Sequence, residues 1–366
     1  MTYDPAPRTR AELDELFGSD DRVTPRRVIN LTERIEKKAA EDMPEASELA
    51  DAQIVNAVER LHENTTSYPQ FPWPSLARLT GPMCPEDLLF AMARTGHGKT
   101  LFLLNVFDAL VSSGHVGLYV GLEQSPMILR SKWACMRVDV APKLVLATRA
   151  DERGSPDWVA AMSKVQDDLK WQRTPEIKAR AHFSAERTIN AAGLKRWTEW
   201  AVERGAAFVI VDHIDRVQLA GRRNPFDEIS ETVRLAKELA VKHRITMLLA
   251  SQVSRPGDPL EQFIPPALSS MRGAGTKEEE ADTVLGIYRP LRATVTDKEL
   301  KLVRQGLRDK DTVIEPNVMG VMMLKHRLDG RVAGKTVKLE VRHQRIVDLA
   351  ERDRWTTDGH RPMQLL

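Results

Sequence analysis

Residues 87–111 read DLLFAMARTGHGKTLFLLNVFDALV, and no other stretch constrains the fold as much. After Asp87, Leu88 to Ala93 is an apolar run without polar alternation, the mark of a strand buried on both faces. Leu101 to Val111 is apolar at helical spacing. A strand that passes through a short glycine loop into a helix aims the helix N-terminus, with its unpaired N–H groups, at whatever the loop encloses. The loop closes on Gly98-Lys99-Thr100, as the phosphate-binding pattern G-x-x-x-x-G-K-[ST] does, but Ala93 stands where that pattern asks for glycine. Gly96 and Gly98 supply the backbone freedom the turn needs. Lys99 is then placed to reach the β- and γ-phosphates of a nucleotide, and Thr100 to hold Mg²⁺.

The rest of the chain repeats the alternation. After DLLFAMA and its helix come a strand at HVGLYVGL, a long helical stretch with one strand near ARAHF, and a buried strand at AAFVIVD. The helix FDEISETVRLAKELAVKHR leads to strand ITMLLASQV, and TVLGIYR, VMGVMMLKHR and the alternating KTVKLEV follow. Unalternating strands separated by helices predict an α/β fold with a mostly parallel central sheet covered on both faces, and sites at the carboxyl ends of its strands. Residues 1–68 differ: TPRRVINLTERIEKKAA and ASELADAQIVNAVERLHE read as two thinly apolar helices. They form a helical N-terminal segment, either a lead-in packed on the main domain or an arm that docks on a neighbouring subunit. The proline-broken YPQFPWP marks the boundary, the main domain spans 69–350, and 351–366 is a C-terminal tail.

Composition excludes several classes. A net charge of +2 gives no global basic field, so any nucleic-acid contact must be local. Two cysteines, Cys84 and Cys135, cannot build a disulfide framework or a four-cysteine zinc site, which suits a reducing cytoplasm. No apolar run is long enough to cross a membrane.

A phosphate loop needs an acid on a neighbouring strand. In AAFVIVDHID an apolar run of six residues leads to Asp212, placed to hold the Mg²⁺ shell; Asp215 follows closely. Glu123 ends strand HVGLYVGL and would face the γ-phosphate to orient the attacking water if that strand neighbours the loop strand. Gln252 near the end of ITMLLASQV would sense the γ-phosphate and relay its presence to the next loop. Lys325 and Arg327 are two apart on a strand and so point the same way.

In this order the motifs resemble the motor domain of DnaB-type hexameric replicative helicases, a branch of the RecA-like ATPases, over roughly Pro72 to Leu349. That family also begins its loop with Ala-Arg, as Ala93-Arg94 does here; Gly96 and His97 depart from its usual ARPSMGKT. The resemblance implies that Ala93, Arg94, Thr95, Gly96, His97, Gly98, Lys99, Thr100 and Asp212 surround the nucleotide. Glu123 falls in the context of the family's catalytic glutamate, VDHID in that of its IDYLQ, and Ala250–Val253 in that of its ALSQL. SSMRGAGTKEEEADTVLGIYR is similar to its DNA-binding loop, which implies that Arg272, Gly273 and Gly275 hold a strand's phosphates; Lys277 is basic where the family is apolar. Lys325 and Arg327 match its K-x-R pair, which reaches the γ-phosphate bound to the next subunit. The family's phosphate-binding arginine after the catalytic glutamate has two counterparts, Arg130 and Lys132.

The resemblance thus implies a RecA-like three-layer P-loop fold and an ATP- and Mg²⁺-dependent ring, a hexamer, acting on single-stranded DNA in replication with a loader or other replication proteins. It implies a cytoplasmic enzyme of a bacterium, phage or plasmid. Sixty-eight residues are fewer than the family's N-terminal domain, so the chain reads as a reduced form. A RecA-like ATPase of recombination or branch migration, and an ATP-controlled nucleoprotein filament that unwinds nothing, are the rival readings.

Overall fold

The computed structural model describes residues 68–146, 153–217, 225–253, 265–271, 274–289 and 317–350. The two N-terminal helices, the C-terminal tail, Arg272, Gly273 and nearly all of the charge-rich stretch 291–317 lie outside them.

The strands are β1 (Leu88–Ala93), β2 (Gly117–Gly121), β3 (Ala181–Phe183), β4 (Phe208–Asp212), β5 (Thr246–Gln252), β6 (Thr283–Tyr288), β7 (Val318–His326), β8 (Thr336–Arg342) and β9 (Arg345–Asp348). They form one sheet in the order β3-β2-β4-β5-β1-β6-β7-β8-β9. From β3 to β6 every pairing is parallel, and from β6 to β9 every pairing is antiparallel. The helices are α1 (Pro74–Thr80), α2 (Lys99–Ser112), α3 (Pro126–Arg137), α4 (Pro142–Leu146), α5 (Pro156–Trp171), α6 (Pro175–Arg180), α7 (Ala191–Val202), α8 (Pro225–His243) and α9 (Ala274–Glu280).

The apolar runs become strands because both sheet faces are covered. Along β1, Leu89, Ala91 and Ala93 pack with Phe102, Val106 and Phe107 of α2. Leu88, Phe90 and Met92 face the opposite layer, with Leu194 and Ala201 of α7 and Val233, Ala236 and Leu239 of α8. Helix, sheet and helix make three layers. Each fully buried large apolar side chain contributes roughly 1.5–3 kcal/mol, so the sheet centre is the most strongly held part.

The antiparallel extension fastens the two ends of the unit. Trp73 packs its ring on Phe102, centroids 4.9 Å apart, and its Nε1 donates to the Ile346 carbonyl at 3.0 Å. The Asp348 carboxylate accepts from the Ser75 backbone N–H at 2.7 Å and from its hydroxyl at 2.9 Å. The parallel strands send Ala93, Gly121, Asp212 and Gln252 to one sheet edge, where the loops between strands and helices gather.

Candidate nucleotide-binding site

The site is built on the end of β1. Ala93 is its last residue, fully buried, pairing with Gln252 on one side and Ile287 on the other. The methyl group is absorbed by the core, and the residue offers the cleft its carbonyl, which accepts from Lys99 Nζ at 3.3 Å. Glycine is needed further along. Gly96 and Gly98 have φ of +85° and +98°, and a Cβ on Gly98 would lie 2.8 Å from Met319 Cε. The backbone there turns left-handed and α2 begins, its first N–H groups facing the loop.

A cleft of about 420 Å³ opens at this point. Arg94, Thr95, Gly96, Gly98, Lys99 and Thr100 line it from the loop, Glu123 and Gln252 from neighbouring strand ends. Burial lowers the pKa of Lys99, against the opposing pull of Asp212, Glu123 and Asp215. His97 is turned inward: its Nδ1 accepts from the Arg289 backbone N–H at 3.2 Å, tying the loop to the end of β6. Burial, then the charges of Arg94 and Lys99, push its pKa from 6.5 to about 4. The imidazole is therefore neutral in the folded protein, while the unfolded chain takes up its proton below pH 6.5. Its contribution is complete above that value and is lost as the pH falls toward 4. A His97→Gln variant is expected to flatten this part of the acid loss in a melting-temperature series from pH 7 to pH 4; an unchanged series would show that His97 is not so held.

Asp212 stands at the end of β4. Its Oδ2 accepts from the Thr100 hydroxyl at 2.7 Å and from the Tyr119 hydroxyl at 2.9 Å. Its Oδ1 is buried and finds no hydrogen-bond partner among the described residues. A hydroxyl and a carboxylate touching, with one carboxylate oxygen left over, fit the sparse protein share of a Mg²⁺ shell whose other positions are water and phosphate. Tyr119 was not anticipated. The signal was a lone phenol in an otherwise apolar strand; burial, then Asp212, raises its pKa well above the ordinary value, so it serves Asp212 only as a donor.

Two sequence expectations change. β2 does not neighbour β1, because β4 and β5 lie between them. Glu123 reaches the cleft by another route: the chain after β2 folds over the end of β4, with Leu122 N–H donating to the Asp212 carbonyl at 2.8 Å. Arg216 stands 3.8 Å from the Glu123 carboxylate. The stretch after Arg272 is also not all loop, since Ala274–Glu280 forms α9, with helix-favouring Lys277 and three glutamates after it. Gly275 sits exposed in its first turn, with nothing within 4 Å of where a Cβ would stand.

Arg130 and Lys132 separate on geometry. Arg130 Nε donates to Gln172 Oε1 at 3.2 Å, whereas Lys132 lines the cleft. Lys143 and Gln344 line it too, from segments no motif singled out. Lys325 and Arg327 do not line the cleft of their own chain. They hold the C-terminal end of α9: Lys325 Nζ donates to the Glu278 carbonyl, Arg327 donates to that of Glu279 at 2.9 Å, and Arg327 pairs with Asp282 at 2.8 Å.

A glycine loop between β1 and α2, an acid at the end of β4 and a parallel sheet in this order define a P-loop protein of RecA-like architecture. The chain belongs to the family of the DnaB-like helicase C terminal domain, whose match runs over residues 72–347. It is similar to the replicative DNA helicase DnaB of Geobacillus stearothermophilus, 24% identical over 76% of this chain and 58% of that one. It is also similar to the replicative DNA helicase DnaC of Bacillus subtilis, 25% identical over 65% of this chain and 51% of that one. The chain thus spans a little over half the length of these curated relatives. The fold is shared with the solved structure of a DnaB-like replicative helicase studied for its interactions with primase, at a TM-score of 0.63, 20% identity and coverage of 82% of this chain and 66% of that one. It is shared too with a solved ATPase domain, at a TM-score of 0.64, 19% identity and coverage of 82% and 98%.

Proposed function

We propose that the protein is an ATP-driven DNA helicase or translocase that works as a ring, a hexamer, on single-stranded DNA during replication in the cytoplasm. The observation that carries this reading is the separation of Lys325 and Arg327 from the cleft of their own chain, on a domain whose cleft otherwise has its parts. A cleft that Lys325 and Arg327 of its own chain do not line would receive them from a neighbour placed head to tail, and head-to-tail contacts that close make rings.

ATP would lie with its phosphates against the loop N–H groups and the start of α2, and with Lys99 on the β- and γ-phosphates. A magnesium ion held by Thr100 and Asp212 would neutralise charge on those phosphates. Glu123 would take a proton from the attacking water, and Gln252 would report the γ-phosphate. Lys132 would add a charge on the phosphate side. Lys325 and Arg327 of the adjacent subunit would meet the charge that develops as the γ-phosphoryl leaves. Arg272, with the backbone at Gly273 and Gly275, would hold the DNA by its phosphates, which positions a strand without reading its bases.

The direct test is ATP hydrolysis over a protein concentration series, with and without single-stranded DNA, followed by strand displacement. Turnover per chain should rise with concentration and rise again with DNA; indifference to both would sink the ring motor and favour a site complete in one chain. An Arg272→Ala variant should weaken single-stranded DNA binding and lose most of the DNA stimulation while hydrolysing ATP at the unstimulated rate. Wild-type DNA affinity in that variant would remove the loop from the function.

A further inference from the structure

Behind the cleft lies a buried ionic cluster that the proposed chemistry does not use. Lys277 of α9 is completely buried, and its Nζ donates to Asp215 Oδ1 at 2.5 Å and to the Ser251 hydroxyl at 2.7 Å. The other oxygen, Asp215 Oδ2, accepts from the Gln252 backbone N–H at 2.8 Å and lies 3.3 Å from His213 Nδ1. The Gln252 side-chain amide lies 3.0 Å from His213 Nε2, and Arg216 Nε donates to that same nitrogen at 3.4 Å. Burial alone would raise the Asp215 pKa, but His213, Lys277 and the Gln252 N–H bring it to about 2. The carboxylate is charged throughout the working range.

Asp215 is thus the point where three elements meet: the turn after β4, the end of β5 with Gln252, and α9. The end of β5 is also tied to the start of this region by a bridge between Val253 and Met271. The residues on either side of positions 272–273 are therefore anchored to the same strand end, one by backbone pairing and one by a buried ion pair. A lysine in that position is costly to bury unless its partner is fixed, and an apolar residue would fill the same space. Its presence ties the position of α9 to the position of Gln252.

We infer that the Lys277–Asp215 pair is a positioning link that couples nucleotide state at Gln252 to the placement of α9, and through α9 to single-stranded DNA. The inference rests on the DNA-motor reading for its last step only. A shift of Gln252 toward or away from a γ-phosphate moves its backbone N–H, and with it Asp215 and Lys277. A rigid buried ion pair transmits that displacement where a greasy contact would slide.

The test is a double replacement, Lys277→Met with Asp215→Asn, which leaves no stranded charge and keeps an oxygen to accept the Gln252 N–H. Affinity for a fluorescent oligothymidine is measured with a non-hydrolysable ATP analogue and with ADP, in the wild type and in the variant. In the wild type the two affinities should differ, within the ~5–150-fold span usual for coupled sites. In the variant that ratio should collapse toward one, and the effect of DNA on affinity for the analogue should collapse by the same factor, because coupling is reciprocal. A folded variant that keeps the wild-type ratio overturns the link. A wild type that binds DNA with no nucleotide dependence defeats the motor reading instead. Hydrogen exchange in the DNA-free wild type gives a separate reading that needs no variant. Amides of Ala274–Glu280 should change protection between analogue and ADP, and identical protection overturns the link even if the double variant fails to fold.

Discussion

A Lys99→Ala protein is expected to lose ATP turnover by at least ~10²–10³-fold, the scale of removing one preorganised charge donor from a phosphoryl or acyl transfer site. Its fold should survive. Lys99 is buried, and burial already disfavours its charge, so truncation relieves a desolvated cation rather than breaking the core. The Ala93 carbonyl that accepts from its ammonium keeps its place in β1 between β5 and β6. The melting temperature should therefore stay near that of the wild type while hydrolysis falls. Hydrolysis at the wild-type rate in a folded variant would mean that the loop at 93–100 is not the nucleotide site.

The second large effect concerns Arg327. An Arg327→Ala protein should bind ATP with near-normal affinity and turn it over ~10³–10⁵-fold more slowly, as when an arginine finger is withheld from other phosphoryl-transfer sites. Stability should change little, because Arg327 is half exposed and Asp282 keeps its pair with Lys237 at 2.6 Å. Mixing supplies the sharper measurement. Glu123→Ala chains would lack the carboxylate proposed to act on the water but keep Arg327, the proposed finger, and Arg327→Ala chains would have the reverse. In an equal mixture that assembles at random, about one quarter of interfaces combine an intact cleft with an intact finger. Turnover should then recover to about that share of the wild-type rate, with two nearly inactive proteins as the starting materials. No recovery at any ratio would place Arg327 outside the neighbour's reaction.

Much of this was legible in the chain itself, for reasons that can be traced. DLLFAMA, AAFVIVD and ITMLLASQV lie at the sheet centre, where both faces are buried, and an unbroken apolar run has few other uses. Lys99, Thr100 and Asp212 were readable because a strand end and a helix start leave little freedom in where they point. Strand order was not readable. It depends on which strands pack side by side, and the placement of Glu123 by a turn over β4 follows from that order. Tyr119, Lys277 and the inward face of His97 escaped for a related reason: each is a polar group inside an apolar layer, and its partner lies far away in sequence. Lys277 is the sharpest case. As a letter in TKEEE it reads as a solvated charge, and only the arrival of Asp215 from the turn after β4 makes its burial tolerable.

The clasp between the start and finish of the described unit has a consequence for topology. Ser75 and Asp348 touch, and Trp73 reaches Ile346, so the first and last described segments of the unit meet at one place. A loop is already closed there by hydrogen bonds, and a short peptide could close it covalently. A circularly permuted chain, joined at this seam and opened at an exposed turn such as Gly154, would keep every strand pairing of the sheet. The phosphate loop and its acid would then be carried by a protein with new ends.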